Sequence, residues 1–287
     1  MKQEIPLSAA VPRPFRQVDV FSPEPFRGNP LAVVHNAGGL TDQQMQQFAT
    51  WTNLSETTFL VPPADPAADY GVRIYTPDGE LPFAGHPTLG SAHAWLEAGG
   101  TPAGAGGIVQ ECAAGLVRLQ NHGGRLAFAA PPLTSYGPVA ETQMQQIAAA
   151  LDLPRAALVD AAWLVNGPEW IGVLLGSAEE VLAVRPNYQA MAGLEIGILG
   201  PYSGGGSVDF EVRTFIPGDI PVEDPVTGSF NAGAAQWLIS SGRAPESYVA
   251  SQGTVLGRAG RVHVRSEGTD VWVGGDCRTR ISGTVTL

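Results

Sequence analysis

The stretches RIYTP at residues 73–77 and GHPTLGSAHAWLEAGG at residues 85–100 decide the fold, because both recur in the second half of the chain. RTFIP lies at 213–217, an offset of 140, and TGSFNAGAAQWLISSG lies at 227–242, an offset of 142. Each copy reads as a short strand, a loop rich in Pro and Gly, and a helix that ends at glycine. A repeat of about half the chain length predicts two similar halves.

The helices of the two copies are expected to be buried. Predicted at 87–98 and 229–241, they consist mostly of small and apolar residues, and Trp95 aligns with Trp237. A helix this poor in charge is usually surrounded by protein. The predicted fold class is therefore α+β, with a sheet wrapped around one central helix in each of two pseudo-symmetric lobes.

The rest of the chain reads mainly as short strands with two outer helices. The outer helices, at 41–51 and 141–151, are more polar and fit packing on one side. β-branched and aromatic residues in short apolar or alternating runs indicate strands. The predicted strands are 30–34, 56–61, 170–175, 210–215, 260–265 and 270–275.

Two successive prolines, Pro131 and Pro132, mark the boundary between the lobes, since they favour an extended linker. This places an N-terminal extension at 1–15, an N-terminal lobe at 16–130 and a C-terminal lobe at 133–287. The last strand can return to pair within the N-terminal lobe.

Composition excludes several classes of function. The 27 acidic against 16 Lys and Arg residues give a net charge of −11, which disfavours nucleic acid as a partner. No apolar run is long enough for a membrane span, and Pro6, Pro12 and Pro14 interrupt the start, so a cytoplasmic protein is expected. Cys112 and Cys277 lie far apart, which favours two buried thiols over a disulfide or a zinc site.

Gly85 and His86 lie where the first repeated helix begins, since Pro87 suits a first helical turn. The free N–H groups of a helix start favour an anion and disfavour an imidazolium. The simpler interpretation is that His86 only caps the helix.

The second repeated helix is preceded by Asp224, which could be an ordinary N-cap. The repeat gives it a further meaning, because both helix starts carry a titratable residue and two-fold symmetry would bring them face to face. Gly228 and Ser229 would then let a carboxylate substrate approach the backbone between the helix starts.

Glu56 begins an apolar strand after the polar residues Asn53 to Ser55. A lone glutamate at a strand edge is usually a solvated charge. If it points into an apolar interior instead, its pKa rises toward the range in which a carboxylate exchanges protons with carbon. The sequence leaves its direction open.

Other chemistries lack their sequence requirements. The chain has no G-x-G-x-x-G after a strand, no G-x-x-x-x-G-K-[ST], no H-E-x-x-H and no G-x-S-x-G. His86 and His93 are two helical turns apart, too far to share one metal ion. We therefore expect neither a metal nor an organic cofactor, and we interpret His35, His122 and His263 as structural.

Taken together, the motifs resemble those of PhzF-like proteins, the phenazine-biosynthesis family of isomerases, over about residues 15–287. The resemblance implies the diaminopimelate-epimerase-like fold, with the active site in the cleft between two lobes. It rests on VDVFSPEPFRGNPLAVV (18–34), NLSETTFL (53–60), RIYTPDGELPFAGHPTLGSAHAWLE (73–97), EDPVTGSFNAGAAQWL (223–238), SQGTVLGRAGRVHV (251–264) and VWVGG (271–275).

The resemblance also implies roles for individual residues. The family's phenazine-pathway member isomerises a dihydro-hydroxyanthranilate by moving a proton, without a cofactor. By motif, Glu56 would be the acid and base, and His86 and Asp224 would position the substrate and tune the proton transfer. The expected substrate-binding residues are Ser55, Gly85, Gly228 and Ser229. The resemblance suggests a homodimer.

Two alternatives stay open at this stage. One is an epimerase or racemase of a small amino or hydroxy acid that uses Glu56 with Asp224. Related racemases use two cysteines at the helix starts, whereas Ala84 stands at the first such position and Asp224 near the second. The other alternative is a small-molecule binding protein that keeps the cleft without turnover.

Overall fold

Strands from both halves of the chain join into one continuous sheet in the computed structural model, which describes residues 11–218 and 221–287. From residue 11 onward, the first half contributes eight strands and two helices. The strands are β1 (Pro12–Val20), β2 (Asn29–Val34), β3 (Glu56–Val61), β4 (Tyr70–Tyr75), β5 (Glu80–Leu81), β6 (Ile108–Cys112), β7 (Gly115–His122) and β8 (Arg125–Ala129), and the helices are α1 (Asp42–Thr52) and α2 (Gly85–Glu97).

The described residues of the second half form ten strands and four α-helices. The strands are β9 (Ser135–Pro138), β10 (Asp160–Val165), β11 (Glu169–Leu174), β12 (Glu195–Pro201), β13 (Phe210–Ile216), β14 (Val222–Asp224), β15 (Ser247–Gln252), β16 (Gly260–Glu267), β17 (Asp270–Gly275) and β18 (Cys277–Thr286). The helices are α3 (Glu141–Ala150), α4 (Ala178–Ala183), α5 (Tyr188–Met191) and α6 (Gly228–Ser240), with single 3₁₀ turns at Arg155–Ala157 and Thr254–Leu256.

The order of strand pairs repeats in the two halves. In the first half β2 pairs in parallel with β3, β3 antiparallel with β4, and β4 in parallel with β6. In the second half β11, β12, β13 and β15 repeat the same sequence of parallel and antiparallel pairs. β8 and β17, the last strands of each repeat, pair with each other and close the sheet between the halves. The repeat found in the sequence is therefore a repeat of topology.

The end of the chain is paired with its beginning. β18 lies antiparallel to β1 along its whole length, from Pro12 opposite Thr286 to Val20 opposite Cys277. β1 therefore begins at Pro12, and the assignment of residues 12–15 to an extension is wrong; residues 1–10 of that extension lie outside the described residues. Pro12 and Pro14 are tolerated because β2 pairs with β1 only from Phe15 onward, which leaves the proline side of the strand as an edge.

The two central helices are buried against each other and against the sheet. α2 begins two residues before the predicted 87–98 and α6 one residue before 229–241. Both helices have 13 residues, and their first residues, Gly85 and Gly228, are 143 positions apart. The alignment predicted from the sequence pairs Gly85 with Thr227 and is therefore off by one residue. Apolar side chains from both halves form one core around them, including Leu89, Phe128 and Phe230.

The helix starts touch at two glycines. A Cβ atom built on Gly85 would lie 2.7 Å from the Cα atom of Gly228, and one on Gly228 would lie 2.7 Å from the Cα atom of Gly85. Real Cβ atoms do not approach other carbons this closely, so only glycine lets the two helix starts meet.

The remaining predicted elements lie close to their expected positions. The outer helices at 41–51 and 141–151 appear as α1 and α3, and each predicted strand overlaps a strand of the structure. Cys112 and Cys277 are buried free thiols. None of the helices in the described ranges is long and apolar enough to cross a membrane.

We predict that Gly85→Ala lowers the free energy of unfolding by about 1 to 3 kcal/mol, because overpacking at the helix contact outweighs the gain of up to about 1 kcal/mol in helix propensity. Urea denaturation measures the difference. Gly283→Ala in β18 is the matched control, since no heavy atom lies within 4 Å of its added Cβ. Equal stability of the two variants would show that the helix starts do not meet at this glycine.

Candidate active site

Two helix N-termini meet at the centre of the molecule. The residues that cap them, Ala84 and Thr227, are in extended conformation, and the first intrahelical hydrogen bonds run from the Thr88 and Asn231 N–H groups back to their carbonyls. The N–H groups before these have no acceptor within their own helix and carry partial positive charge. The contact between α2 and α6 therefore favours negative charge nearby and disfavours a protonated histidine.

Glu56 points inward, toward the start of α2. α1 ends at Asn53 in a left-handed conformation, and β3 then begins at Glu56, held in parallel register opposite Leu31 of β2. The Glu56 Oε2 atom lies 3.4 Å from the His86 Nε2 atom, and 15% of the Glu56 side chain is exposed. The structure thus places Glu56 in the interior rather than at a solvated edge.

Burial, with the nearby charge of Asp224 as the second cause, raises the pKa of Glu56 well above its usual range. A carboxyl group with a raised pKa is a stronger base than an exposed glutamate and gives up its proton less readily. This is the state that general acid and base chemistry at carbon requires.

His86 is the second residue of α2 and is almost completely buried. Burial lowers the pKa of His86 to about 3, and the position at a helix start acts in the same direction. The imidazole is therefore neutral at physiological pH. The Glu56 Oε2 and His86 Nε2 atoms have no hydrogen-bond partner within residues 11–218 and 221–287.

Asp224 ends β14 and brings a second carboxyl group to the same place. Its Oδ1 atom accepts a hydrogen bond of 3.0 Å from the Asn29 amide, and its Oδ2 atom accepts one from the Thr227 hydroxyl. Burial raises the pKa of Asp224 to about 6, while these two donors partly offset the rise. Because Asp224 also raises the pKa of Glu56, the two carboxyl groups titrate as a pair.

We call Glu56, His86 and Asp224 the proton cluster. The structure brings the three together, with Glu56 and His86 from the first half and Asp224 from the second. Asp224 is not the N-cap of α6, because Thr227 occupies that position three residues later. The equivalent of Ala84 at the second helix is likewise Thr227 rather than Asp224, and neither is the cysteine of a two-thiol racemase.

The four residues expected to bind substrate have different surroundings. Ser229 is the second residue of α6; its hydroxyl accepts a hydrogen bond of 3.0 Å from the Trp170 indole, and its carbonyl accepts one of 2.9 Å from the Asn166 amide. Ser55 is half-buried beside Glu56. Gly85 and Gly228 pack their backbones directly against each other, which is possible because neither has a side chain. No open gap is therefore left directly between the two glycines.

Sequence reasoning missed the polar residues around the cluster: Asn29, Thr227, Asn166 and Trp170. Asn29 stands in the stretch 18–34 that carries the resemblance, yet its partner Asp224 is 195 positions away in the chain. A single asparagine before a predicted strand gives no signal of such a contact. Only Thr227 could have been found, as the residue before a helix start.

The register of the sheet shows which residues correspond in the two halves. Glu56 opens β3 opposite Leu31 of β2, and Glu195 opens β12 opposite Trp170 of β11. His86 and Ser229 are both the second residue of their helix. The halves therefore repeat in backbone and differ in chemistry.

Two grooves lie elsewhere on the surface, with volumes of about 330 and 360 Å³. The first runs along β8, β16 and β17 beside Trp272, and the second lies beside the Pro131–Pro132 linker. Neither is lined by the proton cluster. In the part of the chain that the structure describes, no group of three or more His, Cys, Asp or Glu side chains is arranged to hold a metal ion.

Comparisons with known proteins agree over nearly the whole chain. The family described as phenazine biosynthesis-like protein, PhzC-PhzF, matches residues 18–287. Antisense-enhancing sequence 1 of Schizosaccharomyces pombe is 38% identical over 94% of this chain and 97% of its own. Trans-2,3-dihydro-3-hydroxyanthranilate isomerase of Pseudomonas aeruginosa is 31% identical over 85% of this chain and 87% of its own.

Among solved structures, a phenazine biosynthesis protein of the PhzF family from Enterococcus faecalis superimposes with a TM-score of 0.77 at 27% identity. The match covers 96% of this chain and 100% of that chain. The diaminopimelate-epimerase-like fold that the sequence resemblance implied is confirmed.

The lowered pKa of His86 predicts a dependence of stability on pH. Because folding lowers this pKa from 6.5 to about 3, protonation favours the unfolded chain, so the contribution of His86 is present above about pH 6.5 and is lost as the pH falls toward 3. Between about pH 6.5 and 5.5 the loss is about 1 kcal/mol. His86→Asn should remove this part of the pH dependence in urea denaturation, whereas His122→Asn, at an exposed position, should retain it. An unchanged slope in His86→Asn would contradict a buried neutral His86.

Proposed function

This chain belongs to the phenazine biosynthesis-like PhzC-PhzF family, whose relatives are named isomerases, and we propose that it moves a proton between two carbons of one small, cyclic carboxylate. The observation that carries the proposal is the buried Glu56 carboxyl group, unpaired at Oε2 and facing a neutral His86. No cofactor takes part in the proposed reaction.

Unpaired polar atoms support a ligand at this place. Buried polar groups in folded proteins nearly always have a hydrogen-bond partner. Glu56 Oε2, His86 Nε2 and Asn29 Oδ1 have none among the described residues, although the three side chains are neighbours. The Asn29 Oδ1 atom and, when Glu56 is ionised, its Oε2 atom are hydrogen-bond acceptors. The substrate would therefore carry hydrogen-bond donors, such as amino or hydroxyl groups, as well as acceptors.

The helix starts support a carboxylate on that substrate. His86 and Ser229 are the second residues of α2 and α6, so their backbone N–H groups lie at the positive ends of two helices. Since Gly85 and Gly228 are in contact, the carboxylate would bind in front of the two helix starts rather than between them. Ser55 and the Ser229 hydroxyl would hold its other polar groups.

In the proposed reaction Glu56 removes a proton from one carbon and returns it to another. In the ionised form it accepts the proton, and burial raises its basicity so that the transfer is feasible near neutral pH. Asp224 keeps a second negative charge close by, which disfavours the ionised form of Glu56 and helps it to take up the proton. His86 stays neutral, lies 3.4 Å from the Glu56 carboxyl group and would position the substrate through Nε2.

The names of the relatives indicate the chemical class of the substrate. Relatives at 31% and 32% identity are named trans-2,3-dihydro-3-hydroxyanthranilate isomerases, and we propose a compound of this class, an amino- or hydroxy-substituted ring carboxylate. From the family resemblance alone we also propose a homodimer, which light scattering on the purified protein would test.

A second candidate function is epimerisation of an amino or hydroxy acid. The observation that favours it is the pair of carboxyl groups, Glu56 and Asp224, that titrate together at one site, because two acids can exchange a proton at the two faces of one carbon. The two functions differ in product: epimerisation inverts one carbon, whereas isomerisation moves a double bond.

We predict that Glu56→Gln lowers kcat on trans-2,3-dihydro-3-hydroxyanthranilate by about 100-fold to 10,000-fold, because the amide keeps the size of the side chain but cannot carry the proton. Binding of anthranilate, a stable carboxylate of similar shape, should change by less than about 3-fold in calorimetry, since the helix starts are intact. Glu246→Gln is the matched control at an exposed position outside the site.

Near wild-type turnover in Glu56→Gln would assign the base to another residue. A crystal soaked with anthranilate should show its carboxylate at the N–H groups of His86 or Ser229. Anthranilate bound in the groove beside Trp272 instead would show that the helix starts are not the carboxylate site.

A further inference from the structure

The side chain of Asn29 links the two halves inside the proton cluster. It opens β2 in the first half, and none of it is exposed. Its Nδ2 atom lies 3.0 Å from the Asp224 Oδ1 atom and 3.1 Å from the Val226 carbonyl oxygen, both in the second half. The same atom lies 3.4 Å from the His86 Nδ1 atom.

Counting hydrogens shows what these contacts do. An amide nitrogen carries two N–H bonds, and the two shortest contacts are to Asp224 and Val226. The Asp224 carboxylate and the Val226 carbonyl oxygen accept hydrogen bonds but do not donate them. An amide flip that exchanged Oδ1 and Nδ2 would lose both bonds, so the Nδ2 atom must face Asp224. Asp224 then receives one donor at each oxygen, from Asn29 at Oδ1 and from Thr227 at Oδ2, and its carboxyl group is held in one orientation.

Asn29 is itself held in place by the residue before it. The Gly28 N–H donates to the Asp19 carboxylate at 2.9 Å, and the Gly28 carbonyl accepts from the Arg258 guanidinium at 3.0 Å. A Cβ on Gly28 would lie 2.1 Å from the Val20 carbonyl oxygen, so only glycine fits there. Arg258 belongs to the second half, in the connection between β15 and β16, and its bond to Gly28 keeps the start of β2 against that connection.

We propose that Asn29 is a positioning residue for the proton transfer: it fixes the carboxylate of Asp224 opposite Glu56 and His86 and ties the first half to the second at that point. The inference rests on the proposed function for its kinetic part. It goes beyond that function in assigning a role to a residue that acts through Asp224 rather than on the substrate.

The charged and titratable groups around Asp224 determine which contacts can change its pKa. Glu56, from β3, is close enough for the charge of Asp224 to raise its pKa, and His86, from α2, lies beside the Asn29 amide nitrogen that also contacts Asp224. The neighbouring Glu223 is engaged by the Arg213 guanidinium through two hydrogen bonds of 2.9 Å. Among the described residues, the donors to the Asp224 carboxylate are Asn29 and Thr227. Loss of Asn29 therefore removes one of two donors and should make Asp224 harder to ionise.

The experiment uses Asn29→Leu, which removes the amide but keeps the branched shape and the number of side-chain heavy atoms. The first readout needs no substrate: the midpoint of the Asp224 carboxyl titration, followed by carbon NMR on aspartate-labelled protein and assigned with Asp224→Asn. We expect the midpoint to rise by about one pH unit. The control Gln110→Leu removes another fully buried amide, hydrogen-bonded to Tyr70 and Thr88, and should leave the midpoint unchanged.

The second readout is kinetic. On trans-2,3-dihydro-3-hydroxyanthranilate, Asn29→Leu should lower kcat by about 10-fold to 100-fold with KM within about 3-fold. In an Asp224→Asn background the same change should lower kcat by less than about 2-fold, because the two residues act as one unit. If Asn29→Leu does not fold, Asn29→Ala, which also removes the amide donor, carries both readouts.

The inference is overturned if the Asp224 midpoint stays where it is, or if the kinetic losses of the single variants multiply in the double variant. A wild-type protein without turnover would defeat the proposed function, while the titration would still decide the role of Asn29.

Discussion

The contact between the first residues of α2 and α6 is the constraint on which the rest of the structure depends. Two helices meet there by their positive ends, with Gly85 against Gly228, an arrangement that repels electrostatically unless negative charge lies close by. Hydrophobic burial of both helices holds the contact together. The same potential accounts for a neutral His86 and for two carboxyl groups, Glu56 and Asp224, at a place where burial alone would exclude them.

A symmetric frame carries an asymmetric set of side chains. Glu56 and Glu195 open corresponding strands, yet only Glu56 faces a histidine, because the residue that corresponds to His86 in the second half is Ser229. Asp224 likewise corresponds in register to Leu81, since each lies opposite the equivalent residue of the preceding strand. One proton cluster therefore forms at the interface rather than two, which suits directional transfer along one substrate.

The sequence was sufficient to predict the two halves, the central helices and the family, because repeats and motifs are local in the chain. It failed where distant segments meet. Residues 1–15 were assigned to an extension, and only the pairing of β1 with β18 makes Pro12 and Pro14 part of a strand. The direction of Glu56 depends on the register of β3 with β2, and the role of Asn29 depends on a residue in the other half. These contacts leave no periodic pattern in the sequence.

The most direct test of the central claim is turnover of trans-2,3-dihydro-3-hydroxyanthranilate in deuterium oxide, followed by proton and deuterium NMR. The account predicts a product in which a double bond has moved, with a new carbon–hydrogen or carbon–deuterium bond at a different carbon from the one that lost its hydrogen. Deuterium appearing only at the original carbon, with inverted configuration and unmoved double bonds, would contradict it and establish epimerisation instead.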